Sequence, residues 1–267
     1  MRIYNPEGSR LRTDQMKILE VLTIFAQICK ENDIKWWLDS GTLLGAARHG
    51  GFIPWDDDAD VCVLKKDLPK LRRVLRKNSG DQFFYSCIQS DVEHVNPFGK
   101  FRMKTGGVES TDRRAVHFKY NGMGMDVFAI EYAPKWASHT AKFVYFNLQH
   151  PTQYIKNELV RRFFIRLVEF LSFYILIPPI RFLGWIFNPK KQYHYELGSG
   201  FYNAIYYKEQ IFPLSTISFE GHVFPAPKDV DLYLTNLYGD WHKIPSEDSI
   251  RKRMHSMVYI KEIFGEE

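Results

Sequence analysis

Between Gly41 and Asp60 the chain reads Gly-Thr-Leu-Leu-Gly-Ala-Ala-Arg-His-Gly-Gly-Phe-Ile-Pro-Trp-Asp-Asp-Asp-Ala-Asp. A small-residue turn, Gly41-Thr42, follows one apolar segment, and Asp58-Ala59-Asp60 heads a second, Val61-Cys62-Val63-Leu64. A strand alternates its side chains, so Asp58 and Asp60 point to the same side. Two carboxylates on one side repel each other unless a cation sits between them. Mg2+ is the hard cation that suits carboxylate and phosphate oxygens. A chain with this stretch must therefore bring a tight turn and an acidic strand head together.

The remaining elements follow from periodicity and punctuation. Asp14 is placed to cap a helix to about Asn32, with Ile18, Leu22, Phe25 and Cys29 on one stripe. Ile34 to Leu38 reads as a strand, Leu43 to Arg48 as a short helix, and His49 to Trp55 as a loop with Gly50, Gly51 and Pro54. Asp58 to Leu64 is the next strand. Asp67 then caps a basic helix to Lys77. Phe83 to Ile88, Phe98 to Met103 and Met123 to Ile130 complete the strands. Asp126 sits inside the last of them. A buried unpaired carboxylate is costly, so Asp126 calls for a partner or a metal, and it is the natural third acid for Asp58 and Asp60. The layout suits phosphoryl transfer.

Composition narrows the surroundings. At 267 residues, 45% hydrophobic and 25% charged, the chain fits one large globular domain or one and a half. A net charge of +5 suits an anionic substrate or membrane surface and is too diffuse to argue for nucleic acid. Cys29, Cys62 and Cys87 are scattered and odd in number, which argues against a disulfide framework or zinc spacing and for a reducing cytoplasm. Residues 1–13 form a polar segment without the apolar stretch of a signal peptide. Residues 160–187 are rich in Phe, Leu and Ile, yet carry several arginines and Pro178-Pro179. The prolines are expected to interrupt the stretch and argue against a membrane span. Two readings stay open: a helix pair lying in the membrane interface, or core helices packed on the sheet.

A lone Asp-x-Asp is weak, and metal-dependent glycosyltransferases use one as well. Together with the preceding Gly-Thr turn and the later Met125-Asp126-Val127, it resembles the nucleotidyltransferase fold of the polymerase-beta type. This is an α+β architecture with a mixed sheet, flanking helices and, here, an inserted apolar helical segment. Arg48 is a candidate for bidentate phosphate binding, against a surface salt bridge. Lys100 and Arg102 share one face of a strand and are candidates to neutralise a leaving phosphate, against an exposed edge strand. Trp55 either stacks on a base or pins its loop. His255 either binds ligand or serves as a structural hydrogen-bonder.

The wording of the motif is then specific. Leu38-Asp39-Ser40-Gly41-Thr42-Leu43-Leu44-Gly45 and Arg48-His49-Gly50-Gly51-Phe52-Ile53-Pro54-Trp55-Asp56-Asp57-Asp58-Ala59-Asp60 closely resemble the LicD family. These are bacterial phosphorylcholine transferases related to the fukutin group of ribitol-phosphate transferases. Tyr238-Gly239-Asp240-Trp241, Pro245 and His255 also look like that family, and the resemblant domain spans about residues 14–256. The resemblance implies that a CDP-activated alcohol, commonly CDP-choline, donates its phospho-alcohol group to a sugar hydroxyl of a surface glycan, such as lipopolysaccharide, capsule or teichoic acid, and that CMP leaves. It implies Mg2+ or Mn2+ on Asp58, Asp60 and Asp126, with Asp126 as ligand or general base, and Gly41 and Thr42 against the phosphates. Cysteine usage and the apolar 160–187 segment give the expected place, the cytoplasm at the inner face of the membrane, near a glycan or lipid-linked glycan acceptor. Rival readings are a nucleotidyltransferase that adds a nucleoside monophosphate to a small acceptor, and a catalytically silent glycan-binding module.

Overall fold

A computed structural model of the chain describes residues 4–107, 117–199, 203–254 and 256–265. Its centre is a mixed sheet in the order β1-β2-β5-β4-β3, with β6 also paired to β5. The strands are β1 (Trp36–Leu38), β2 (Asp60–Leu64), β3 (Phe83–Ser86), β4 (Gly99–Met103), β5 (Gly124–Tyr132) and β6 (Tyr193–Tyr195). Only β2 and β5 run parallel; the other pairs are antiparallel. β2 and β5 are almost wholly buried, as expected of strands covered on both faces. A separate hairpin, β7 (Ser215–Phe219) with β8 (His222–Ala226), lies beyond β1.

Helix α1 (Arg10–Glu31) packs its apolar stripe, Leu11, Ile18, Leu22, Phe25 and Cys29, into the main core. Full burial of a Leu or Phe side chain contributes roughly 1.5–3 kcal/mol each. The helix starts five residues earlier than the sequence reading. Ser9 is its cap, accepting from the Arg12 amide. Asp14 lies on the buried stripe instead, where its carboxylate accepts from the Tyr259 hydroxyl and from Lys17. Asp67 likewise closes a 3-10 turn without a side-chain cap, and α3 (Leu68–Asn78) carries Pro69 in its first turn. Helix α2 (Ser40–His49) joins β1 to the loop before β2.

The apolar segment departs most from expectation. Residues 158–186 form one continuous helical stretch: α5 (Glu158–Phe170), a π turn (Leu171–Leu176) and α6 (Ile177–Ile186). Pro178 and Pro179 do not break it. They fall in the first turn of α6, and the preceding π turn shifts the hydrogen-bond pattern where their missing N–H groups would otherwise leave gaps. The stretch is not a core element either, since only 28% of its apolar window is buried. It packs on α4 (Lys135–Gln149) through a small cluster of Ala133, Ala137, Ala141, Ile177 and Leu197. Short helices α7 (Lys208–Ile211), α8 (Val230–Tyr238), α9 (Glu247–Arg253) and α10 (Met257–Phe264) complete the chain. The architecture is α+β, a mixed sheet with flanking helices.

Candidate active site

Sheet register assembles the acids. In the parallel β2–β5 pair, Asp60 faces Asp126, and in the antiparallel β5–β4 pair, Asp126 faces Lys100. Directly opposed residues project to the same face, so two carboxylates and an ammonium form one row across three strands. Asp58, two residues before Asp60, joins them. Asp58, Asp60 and Asp126 each offer a carboxylate oxygen, and these lie within 4.8 Å of one another. Lys100 forms an ion pair with Asp126. Asp56 belongs to the same group through a hydrogen bond shared with Asp58.

The first turn of α2, which begins at Ser40 rather than Leu43, braces this cluster. The Gly41 amide donates to Asp60 Oδ2 at 2.9 Å, and the Asp60 amide donates to Thr42 Oγ1 at 2.7 Å. Gly41 and Thr42, expected against a phosphate, are thus engaged with Asp60. Gly41 is required for space rather than for its backbone angles. A Cβ there would stand 2.7 Å from Asp56 Oδ2 and 3.2 Å from Asp60 Oδ2. Ser40 has a φ of 44°, and its buried hydroxyl has no hydrogen-bond partner among the described residues. Strain of this kind collects at functional sites.

Beneath the turn, Asp39 is fully buried and accepts from the Tyr195 and Tyr233 hydroxyls, each at 2.9 Å. Burial pushes its pKa up to about 6 against the opposing pull of those two hydroxyls. Burial, and then repulsion from Asp58, holds the Asp56 and Asp60 carboxyls well above the usual carboxylate range. A crowd of buried acids is suited to a cation, and a carboxylate set of this size and chemistry fits Mg2+ or Mn2+.

The acidic loop is itself anchored. Gln15 on α1 donates to the carbonyls of Asp56 and Ile53 at 2.8 and 3.3 Å. Arg12 grips Glu220 with two hydrogen bonds of 2.8 and 2.9 Å, and Glu220 accepts from the Phe52 amide. A side chain at position 51 would collide with Glu220. No local signal in the sequence marks Gln15, Arg12 or Glu220, because each acts across the fold. Asp39 and Asp56 stand inside the motif and are recognisable as acids, but their partners are not.

Among the other sequence-derived candidates, Arg48 and Trp55 stand apart from the acids, while Arg102 stays within electrostatic reach of Asp126. Arg48 lies at the opposite end of α2 from Gly41, and its guanidinium donates to the carbonyls of Trp241 and Lys243. It fastens the C-terminal segment and is not gathered with the acids. Trp55 is buried, edge-on to Tyr4 and His49, and pins the loop. Arg102 is buried, donates to the Tyr120 carbonyl at 2.7 Å and lies over the Phe118 ring. His255 lies outside the described residues.

The chain is similar to known proteins in the region of this site and beyond it. Residues 33–179 match the model of the LicD/FKTN/FKRP nucleotidyltransferase domain. Across 94% of its length the chain is 24% identical to the lipopolysaccharide cholinephosphotransferase LicD of Haemophilus influenzae, covering 98% of that protein. Over 47 residues it is 40% identical to the ribitol 5-phosphate transferase FKRP of Homo sapiens, which is 18% of this chain and 10% of that protein.

Proposed function

The chain belongs to the LicD/FKTN/FKRP nucleotidyltransferase-domain family, and from that premise we propose that it transfers a phospho-alcohol group from a CDP-activated alcohol to a sugar hydroxyl of a cell-surface glycan. The observation that carries the proposal is the row Asp60–Asp126–Lys100 with Asp58 alongside. The near full-length similarity to a lipopolysaccharide cholinephosphotransferase supports the same reading. The mixed sheet, with its acids at the head of β2 and in β5, is compatible with a polymerase-beta-like nucleotidyltransferase fold.

In this reading Asp58 and Asp60 hold Mg2+ or Mn2+, and Asp126 is either their third ligand or the general base. The metal, when bound, would neutralise charge on the attacking and leaving oxygens. The acceptor hydroxyl attacks the phosphorus that carries the alcohol. The bond to CMP breaks, CMP keeps the electron pair, and the hydroxyl proton passes to a carboxylate of the cluster, for which Asp126 is the candidate. Lys100, one strand over, offsets charge beside Asp126 and is within reach of a phosphate that binds there. Gly41 and Thr42 act by fixing Asp60. The proposed location is cytoplasmic, in keeping with three buried free cysteines.

The test incubates the purified chain with Mg2+ and, separately, CDP-choline, CDP-ethanolamine, CDP-glycerol or CDP-ribitol, together with a glycan acceptor. CMP release with one donor is the expected result. Pyrophosphate release from a nucleoside triphosphate, without CMP from any of the four, would favour the nucleotidyltransferase alternative.

A further inference from the structure

The apolar side chains at the surface are not scattered. Among the described residues, all the exposed large ones except Met16, Val223, Leu232 and Ile244 fall between Trp136 and Phe187. Phe143, Leu159, Phe163, Tyr174, Trp185 and Phe187 are each between 61% and 79% exposed. They come from α4 and from both halves of the 158–186 helix, so three helices share the apolar surface. Exposed apolar side chains gathered on helices that pack on one another mark a contact site.

Charge says what the contact is. Residues 135–191 carry nine Lys and Arg against two Glu, a net +7, whereas the whole chain is only +5. Everything outside the segment is therefore net negative by two. Both glutamates are paired, Glu158 with Arg162 and Glu169 with Arg166, and Arg161 and Arg181 are paired with Glu93 and Glu131 of the body, which leaves the five lysines of the segment as its unneutralised charge. Cations around a face rich in Phe, Trp and Leu complement a layer whose surface is anionic and whose interior is apolar. Aromatics enter the acyl boundary while the lysines stay at the headgroups.

The helix is long enough to cross a bilayer, but its attachments argue against crossing. It is held to the body along its whole length. Near its start Arg161 pairs with Glu93 at 3.0 Å, and further on Arg166 donates to the Ile88 carbonyl at 2.7 Å. In the second half Arg181 pairs with Glu131 at 2.7 Å, and Gly184 lies against Ala137 and Pro134. A helix that spanned would have to leave all of these and uncover the buried Glu93 and Glu131.

We propose that the joint face of α4 and the 158–186 helix docks flat on an anionic lipid bilayer, as an in-plane anchor. The docking also bears on the candidate site. Residues 88–93, held by α5, lead directly into β4, whose Lys100 faces Asp126. The anchor and the acid row are thus joined by one short loop, which suits an acceptor presented at the membrane surface.

The test needs no activity and stands apart from the transferase reading. The purified full chain is floated with vesicles of phosphatidylethanolamine and phosphatidylglycerol, and separately with phosphatidylcholine alone. It is expected to rise with the anionic vesicles and to be recovered about tenfold less with the neutral ones. Phe163→Ser and Trp185→Ser, both at exposed positions, should each weaken binding about tenfold or more with Tm unchanged. Cysteines placed by Lys156→Cys and Lys190→Cys, at the two ends of the segment, should both react with an impermeant maleimide added outside the vesicles. Failure to float with either lipid, or variants that bind like the parent chain, overturns the proposal. So does a dimer that covers this face and does not float, and protection of one of the two cysteines would show a crossing helix.

Discussion

A methyl group on residue 41 would press on two carboxylates at once, Asp56 and Asp60. Gly41→Ala should therefore disturb the acid cluster while α2 keeps its helix, because the backbone angles at 41 are open to any residue. Mn2+ affinity measured by calorimetry is expected to fall about tenfold or more, the cost of displacing a ligand by a few tenths of an ångström. Asp60→Asn keeps an oxygen for the Gly41 amide but removes a charge. Turnover is expected to drop about a thousandfold, since a metal clamp contributes several kcal/mol to the transition state. Tm should hold or rise, as one buried repulsion disappears. Unchanged turnover would remove Asp60 from the chemistry. The three acids were legible because side-chain period and a charge inside an apolar strand are local properties. Arg48 and Trp55 were not, because the Trp241 and Lys243 carbonyls and the Tyr4 ring come from distant parts of the chain.

Elements were legible where a repeat ran its length and obscure where a partner decided. The α1 stripe could be read directly, yet its start could not, since Asp14 faces Tyr259 across the fold. The prolines at 178 and 179 misled because a π turn is not written in hydrophobic periodicity. The attachment of α5 is a buried ion pair, Arg161 with Glu93, both largely shielded from solvent. Removing one partner strands the other, which typically costs about 3–5 kcal/mol. Glu93→Gln should lower unfolding free energy by that order in a urea titration, and a stability equal to the parent's would show that the pair does not fasten α5. Strand β6 carries a second liability. His194 is fully buried with neither ring nitrogen hydrogen-bonded among the described residues. Burial lowers its pKa to about 4, with smaller pushes from His139 and Lys135. The unfolded chain binds this proton more readily than the folded one, so stability is full above the ordinary value near 6.5 and is lost as pH falls toward 4. His194→Phe should flatten the fall in Tm across that window, by up to about 3 kcal/mol in stability.

For the molecule as a whole, the sheet order was the part that no local reading supplies. β5 enters between β2 and β4 only because the chain returns to it after β3 and β4 have formed the far edge. That return brings Asp126 opposite Asp60 and makes proton and cation binding a property of the entire fold. Asp39, Asp56 and Asp60 all have carboxyls raised by burial, to about 6 for Asp39. Folded, they bind protons more tightly than in the unfolded chain. Their contribution to stability is therefore full below the ordinary carboxylate value and declines as pH rises through the raised values. A divalent cation competes with the same protons and binds the assembled cluster, not the unfolded chain. At about a hundred times its Kd it would add about 2.7 kcal/mol. The increment in Tm on adding Mg2+ or Mn2+ to EDTA-treated protein should thus be larger at pH 8 than at pH 5. Taking the increment at each pH cancels the opposite titration of His194, which is independent of the cation. An increment of zero at pH 8, or one that shrinks as pH rises, would show that the acids meet in the fold without holding a metal.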